Sequence, residues 1–502
     1  MTNRLIVRRD TYYDSVTLML ASRDAEEVDG VSLAAAVIAT PVNVTLLEAQ
    51  GFDLSGENTG PNDLVIAVRA DGESAAAAAE RAIEVRLAPS SAAAGGRERE
   101  IPPRSFRSAT RRNSEVSLAF VSVPGRFATV EVGDALAAGL DVFCFSDGIS
   151  LQDEAVLKRD AIDRGLLLMG ADCGTAIIDG VGLGFANAVK AGPVGIVGAS
   201  GTGIQEVSCL LDSAGVGVSQ AIGVGGRDLS RVVGGAMTVR ALELLAGDDT
   251  TGVVVVISKP PDAEVAARVV EAAGRAGKPV VVGFLGPGES TGEEPSNVTL
   301  VGSLEAASVH AAHLIGRSID PAVALPEKRT PGFVRGLFCG GSLCYEAMLV
   351  VAAAGRPIAS NVPLDPGGRI EDVEASIGDT FIDFGEDELT EGRAHPMIDP
   401  SLRNERLRRE AEDPEVGAIV LDVVLGRGAH EDPAKDLGRV ISEALRQRRN
   451  DLTVAVSLCG AAGDPQGVDA QMRSLVDAGA LVTRNSAQAA RIAVAAVGGG
   501  GD

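Results

Sequence analysis

Short apolar runs alternate with amphipathic stretches along most of the chain. From Ser114, "VSLAFVSVPG" reads as strand and turn, "FATVEVGDALAAG" as helix and "DVFCFSDG" as strand. "LQDEAVLKRDAIDRG" then reads as helix and "LLLMGADCG" as strand. Such alternation builds parallel sheets, with chemistry at the carboxyl ends of the strands. Residues 1–90 are less regular. "RLIVRR", "VSLAAAVIA" and "NDLVIAVRA" read as strands, "YYDSVTLMLASRDA" and "ESAAAAAERAIEVRL" as helices, which predicts a small α+β module. Residues 91–113 are small, polar, basic and proline-containing, and read as a mobile linker. The pattern predicts an α/β protein with a parallel-sheet domain over 114–191. Two further domains of this kind, also with parallel sheets, follow over 192–325 and 333–500, separated by the break "PEKRTPG".

The last two domains read as a duplication. "GTGIQEV" at Gly201 aligns on "GSLCYEA" at Gly341, and each runs on to a glycine, Gly215 and Gly355. "TGVVVVIS" then matches "VGAIVLDV", "KPVVVGFLG" matches "DLTVAVSLCG", and "VTLVGSLEAA" matches "LVTRNSAQAA", all in the same order. In each copy an apolar strand, "VGIVGA" or "RGLFCG", enters a glycine-hydroxyl turn that opens a helix. First-turn N–H groups have no partner inside the helix, and its dipole adds positive charge there. Ser200, Gly201, Thr202 and Gly203 in one copy, with Gly340, Gly341 and Ser342 in the other, are therefore candidate phosphate ligands. The alternative for each turn is ordinary capping by the hydroxyl. Glu206 and Glu346 lie one turn further in and could position a ligand.

Composition narrows the partners. The 502 residues carry a formal charge of −24. This excludes a nucleic-acid partner and an anionic membrane surface as expectations, since both demand basic faces. A bound anion must then be held by local donors. Each copy has a polar loop that supplies them: "GVGGRDLSRVVGG" with Arg227 and Asp228, and "GRAHPMIDPSLRN" with Arg393, His395, Asp399 and Arg403. Arginine suits carboxylate or phosphate. His395 is the histidine placed for acid–base work, while His310 and His313 read as one helix face. The six cysteines form no CxxC pair and sit in apolar runs, so buried reduced thiols and no metal are expected. "MTNRLIVRRD" lacks a signal-peptide core, and no 18-residue apolar run exists, so the expected location is cytoplasmic.

"GIVGASGTGIQEV", "GVGGRDLSRVVGG", "SKPP", "GRAHPMIDPSLRN" and "LLLMGADCGTAI" together resemble the FdrA family, over essentially the whole chain. The resemblance implies a succinyl-CoA-synthetase-like scaffold: a Rossmann-like CoA-binding-type domain plus two flavodoxin-like succinyl-CoA ligase domains. In such ligases two opposed helices flank a phosphate. The ligases' phosphorylated histidine is missing, since the corresponding "PGESTGEEPSN" has none. The implied activity is that of an oxamate carbamoyltransferase subunit in allantoin breakdown, converting oxalurate and phosphate to oxamate and carbamoyl phosphate. The alternatives are an acyl-CoA-ligase-like enzyme and a non-catalytic regulatory protein. On this reading phosphate or carbamoyl phosphate is the ligand, and Arg227 or Arg393 holds the oxalurate carboxylate. His395 moves a proton to the leaving nitrogen, and Asp228, Asp399 and Arg403 help position the substrate. No resident cofactor is implied; CoA is a possible ligand. The expected partners are small anionic substrates, companion subunits and further copies of the chain.

Overall fold

The computed structural model describes residues 1–498 apart from 12, 55, 57, 58, 89–101, 287–293, 327 and 450. The chain divides into two compact units. One comprises Met1–Glu100 with Phe384–Leu402, the other Ile101–Asp383 with Arg403–Asp502.

The first unit begins with β1 (Thr2–Arg8), α1 (Ser15–Glu26), β2 (Val31–Ile38), α2 (Pro41–Ala49), β3 (Leu64–Ala70) and α3 (Glu73–Leu87). The strands form an antiparallel sheet in the order β1-β3-β2. Side chains of a strand alternate between faces, so the sheet builds two apolar layers. Ala34, Ala36, Ile66 and Val68 pack with Leu18 and Ala21 of α1 and with Ala79 and Ile83 of α3. Val65 and Ala67 face the other way, against Leu47 of α2 and Phe52. The pattern did not announce α2. Its start is set by Thr40, whose hydroxyl accepts from Asn43 N, and by proline at the first helical position.

In the second unit the described part of the expected linker forms α4 (Phe106–Arg112), opened by a reciprocal Ser105–Ser108 capping box. The remainder, 91–101, lies outside the described residues. β4 (Leu118–Val121), α5 (Gly125–Ala137), β5 (Asp141–Cys144), α6 (Leu151–Asp163) and β6 (Leu168–Met169) make a three-stranded parallel sheet. The hairpin β7 (Thr175–Ile178) and β8 (Val181–Gly184) leaves that sheet and adds to the edge of the next one, antiparallel.

The first copy then runs β9 (Ala191–Gly198), α7 (Gly201–Ser213), β10 (Val218–Gly223), α8 (Ala236–Gly247) and β11 (Val253–Ser258). It continues with α9 (Ala263–Gly274), β12 (Val280–Phe284), β13 (Val298–Val301) and α10 (Leu304–Leu314). Its strands lie in the order β13-β12-β11-β9-β10 and are parallel throughout. This is the flavodoxin-like order, with the first strand at the switch point.

The second copy repeats it with an insertion: β14 (Phe333–Phe338), α11 (Gly341–Ala353), β15 (Ile358–Ser360) and β16 (Asp379–Asp383). α12 (Asp387–Thr390), which belongs to the first unit, and α13 (Ser401–Glu412) follow. β17 (Val416–Val424), α14 (Pro433–Gln447), β18 (Thr453–Cys459), α15 (Val468–Asp477), β19 (Leu481–Thr483) and α16 (Ser486–Val497) complete it. The order β15-β16-β14-β17-β18-β19 is the first copy's order extended by one edge strand. Among the described residues no helix is long and apolar enough to cross a membrane.

Candidate functional site

The two glycine-hydroxyl turns meet. Each follows the carboxyl end of its copy's first strand, β9 or β14. Ser200 caps α7, accepting from Gly203 N at 2.9 Å, and its hydroxyl donates to Ser342 Oγ at 2.6 Å. Thr202 lies against Gly340, where a Cβ would sit 2.9–3.0 Å from its side chain. The seven residues picked for a phosphate site thus form one junction of two helix N-termini. Ser342 is buried, while Ser200, Gly201, Thr202 and Gly341 are partly exposed. Capping and convergence hold together in α7. In α11 the N-cap is Gly340, which has no side chain to occupy the first-turn amides.

Two further side chains reach the junction, and sequence reasoning missed both. Lys259, just past β11, and Asp383, the last residue of β16, both approach Gly341. A Cβ there would lie 2.6 Å from Asp383 Oδ2 and 3.0 Å from Lys259 Nζ, so a side chain at 341 would push these groups aside. Lys259 stands in the quoted "SKPP", but nothing in its spacing links it to residue 341. A third acid, Asp422 of β17, braces the turn from behind: its carboxylate accepts from Cys339 N and Gly340 N at 2.8 Å each. Burial raises its pKa, against the opposing pull of Arg403 and the two amides.

Glu206 and Glu346 face each other one turn deeper, 0% and 1% exposed. Each accepts from the first turn of the other copy's last helix: Glu206 from Ser486 N, and Glu346 from Glu305 N, both at 3.1 Å. Ser486 Oγ also donates to Glu346 at 2.5 Å. The two carboxyls are therefore an interlock between the copies, removed from any ligand at the junction. Burial pushes Glu206 well above the usual carboxylate range, and the neighbouring Glu346 adds to it. Burial raises Glu346 as well. The native pair thus holds a proton that the unfolded chain releases near the ordinary glutamate pKa. Stability from the pair is full below that value and declines as pH rises through the native one. Glu206→Gln is expected to flatten the fall in stability across the neutral to alkaline range, read as urea midpoints from pH 5 to 9. An unchanged slope would remove the shared proton from the account.

Other chosen residues have different work. Asp228 is 0% exposed and bonds Lys158 Nζ at 2.8 Å, Thr238 Oγ1 at 2.7 Å and Thr238 N at 2.9 Å. Arg227 bonds Ile149 O and pairs with Glu154, each at 2.9 Å. Arg403 is 2% exposed, donating to Asp422 O at 2.5 Å and to Cys339 Sγ at 3.0 Å. Asp228 and Arg403, expected to help position substrate, are thus closed into the interior.

Arg393, His395 and Asp399 belong to the first unit. Arg393 bonds Ser401 Oγ at 3.3 Å and faces Asp399 at 3.9 Å. His395 Nδ1 accepts from Met397 N at 3.2 Å, and burial takes its pKa down to about 4. Burial thus favours the neutral imidazole. All six cysteines are buried and free, and burial pushes Cys144 and Cys173 up to about 12, out of nucleophilic range.

Three family models match the chain: "AllF, heavy metal-associated domain" over residues 1–103, "CoA binding domain" over 189–286 and "CoA-ligase" over 337–496. The Escherichia coli protein YahF, itself uncharacterised, is 40% identical over 97% of both chains. Subunit alpha 1 of the ADP-forming succinate–CoA ligase of Archaeoglobus fulgidus is 32% identical over 29% of this chain and 50% of that subunit. The dinucleotide-forming acetyl-coenzyme A synthetase 1 of Ca. Korarchaeum cryptofilum, solved with phosphate and ADP, is similar at 17% identity. Its TM-score is 0.30, over 76% of this chain and 82% of that one.

The first match raises a soft metal, and the residues do not fit one. Residues 1–103 contain no cysteine and no histidine. Among the described residues no group of three His, Cys, Asp or Glu could hold an ion. The chain belongs to the family of Escherichia coli YahF, with succinyl-CoA-synthetase-like CoA-binding and CoA-ligase domains.

Proposed function

We propose that the chain is an acyl-transferring enzyme of the CoA-ligase type that uses orthophosphate at the junction of α7 and α11. The observation that carries this is the meeting of the two helix openings beside Lys259. The first-turn amides of α11, the hydroxyls of Thr202 and Ser342 and the Lys259 ammonium gather at this junction, a donor set that suits a doubly charged oxyanion. The similarity to succinate–CoA ligase subunits supports the substrate class: an acyl-CoA and phosphate, giving acyl phosphate and CoA. The phosphate oxygen attacks the acyl carbon, the C–S bond breaks, and the phosphate proton leaves with the thiol. Asp383 is placed to carry that proton. The donors around the junction stabilise the developing oxyanion.

A second reading is favoured by one observation. The stretch "PGESTGEEPSN" has no histidine, so a phosphoryl group is not passed on to one there. Its residues 287–293 lie outside the described residues. An acyl phosphate that is itself the product suits carbamoyl transfer from oxalurate to phosphate, with companion subunits, as in the FdrA resemblance.

The test uses the full chain with phosphate and either acetyl- and succinyl-CoA or oxalurate. Phosphate-dependent release of free CoA, with an acyl-phosphate signal in ³¹P NMR, supports the first reading. Carbamoyl phosphate from oxalurate supports the second. Absence of both, together with no phosphate binding by calorimetry, overturns the site.

A further inference from the structure

The N-terminal module folds together with a piece of the second copy. Phe384–Leu402, which joins β16 to α13, forms one compact unit with residues 1–100. The joint is specific. Asn43, 1% exposed in the first turn of α2, donates through Nδ2 to Ile38 O at 2.8 Å and to Gly392 O at 3.1 Å. Among the described residues its Oδ1 accepts no hydrogen bond, and its two donors tie the end of β2 to the segment. Gly392 has φ +72°, and a Cβ there would lie 2.5 Å from Thr40 Cγ2. Residue 392 must be glycine on both counts. Phe384, Leu389, Ala394 and Met397 of the segment are each less than a tenth exposed.

The same module offers no chemistry for a soft ion. Such ions are held by thiolate, thioether or imidazole. Residues 1–103 have neither cysteine nor histidine, and of their two methionines Met1 is 89% exposed. We propose that this heavy-metal-associated-type module is a metal-free holder whose ligand is the chain's own 384–402 segment. The segment carries Arg393, His395 and Asp399. It is bracketed in sequence by Asp383, which lies against Gly341, and by Arg403, which is bonded to Asp422. Holding it sets the path of the chain leaving one of these residues and entering the other. The proposal does not depend on the phosphate chemistry above.

Hydrogen exchange of the full chain tests it, with Cu(I) under reductant and Zn(II) as separate probes. Both ions are expected to leave exchange in residues 1–88 unchanged. Asn43→Ala and Gly392→Ala are each expected to raise exchange across 384–402 by about tenfold, the size of one lost buried hydrogen bond. Exchange at 416–424 in β17 stays as in the parent, which separates release from unfolding. Thr40→Ser removes the clashing methyl and keeps the capping hydroxyl, so Thr40→Ser/Gly392→Ala recovers part of the protection. Protection of 1–88 by either ion overturns the proposal. So does unchanged exchange at 384–402 in both single variants, or a rise at 416–424 with no recovery in the double variant.

Discussion

Asp228→Ala is expected to destabilise the second unit by about 3–5 kcal/mol, the usual cost of leaving a buried charge without its partner. Lys158 and Asp228 are both 0% exposed. Lys158 Nζ contacts Asp228 Oδ1, Glu154 Oε1 and Val224 O, each at 2.8 Å. Asp228 also accepts from the first turn of α8 through Thr238 N. Alanine removes the Asp228–Lys158 pair and the acceptor of Thr238 at once. Glu154 remains, but it also serves Arg227. Asp228→Asn keeps the shape and the acceptor oxygen and loses the charge, so it is expected to fall between parent and alanine. Urea midpoints of the three proteins check the order. A near-parental midpoint for Asp228→Ala would mean that the network is open to solvent, and the ligand role that the sequence suggested would be restored to Asp228.

That residue shows where sequence reasoning stops. In "GVGGRDLSRVVGG" an acid beside an arginine in a glycine-rich loop reads equally as ligand or as buried partner. The deciding group, Lys158, is 70 residues away on α6. The same holds for Arg403, whose partner Asp422 lies inside what reads as the apolar run "VGAIVLDV". What periodicity does carry is the strands, because Val/Ile runs buried on both faces have few other uses. It also carries the repeat, because two copies of one pattern restrict each other. The run β11-β12-β13 and its echo β17-β18-β19 answer to three of the four matched segments, while β10 and β16 lie outside them. β15 has no counterpart in the first copy and no signal beyond three residues. The hairpin β7–β8 follows "LLLMGADCG" without a break, so its transfer to the neighbouring sheet was not legible. At the site the two turns were legible as a pair. Lys259 and Asp383 were not, since their approach to Gly341 is produced by strand ends far apart in sequence.

On the proposed reading those two residues weigh on the chemistry more than the turns do. Lys259→Met is expected to lower phosphate-dependent turnover by roughly 10²–10³-fold, the loss seen when one oriented donor to an oxyanion is removed. The reason is electrostatic. Asp383, 2% exposed, brings negative charge to Gly341, and Asp422 lies behind the same turn. The amides of α11 and the partial charge of its N-terminus must act against both. Lys259 Nζ stands close to Gly341, and on the proposed reading this cation tips the balance there toward an anion. Without it, phosphate meets two carboxylates and a half-charge, and binding weakens together with turnover. Methionine keeps the length and apolar stem of the side chain. Lys259 is partly exposed, so the fold loses little. Asp383→Asn in the Lys259→Met background relieves part of the repulsion and is expected to recover phosphate affinity before activity, because the proton carrier is then missing. Calorimetry with phosphate, read beside initial rates, separates the two effects. Full affinity and full rate in Lys259→Met would mean that the anion sits elsewhere, and that the serine pair between α7 and α11 is only a joint between two copies of a fold.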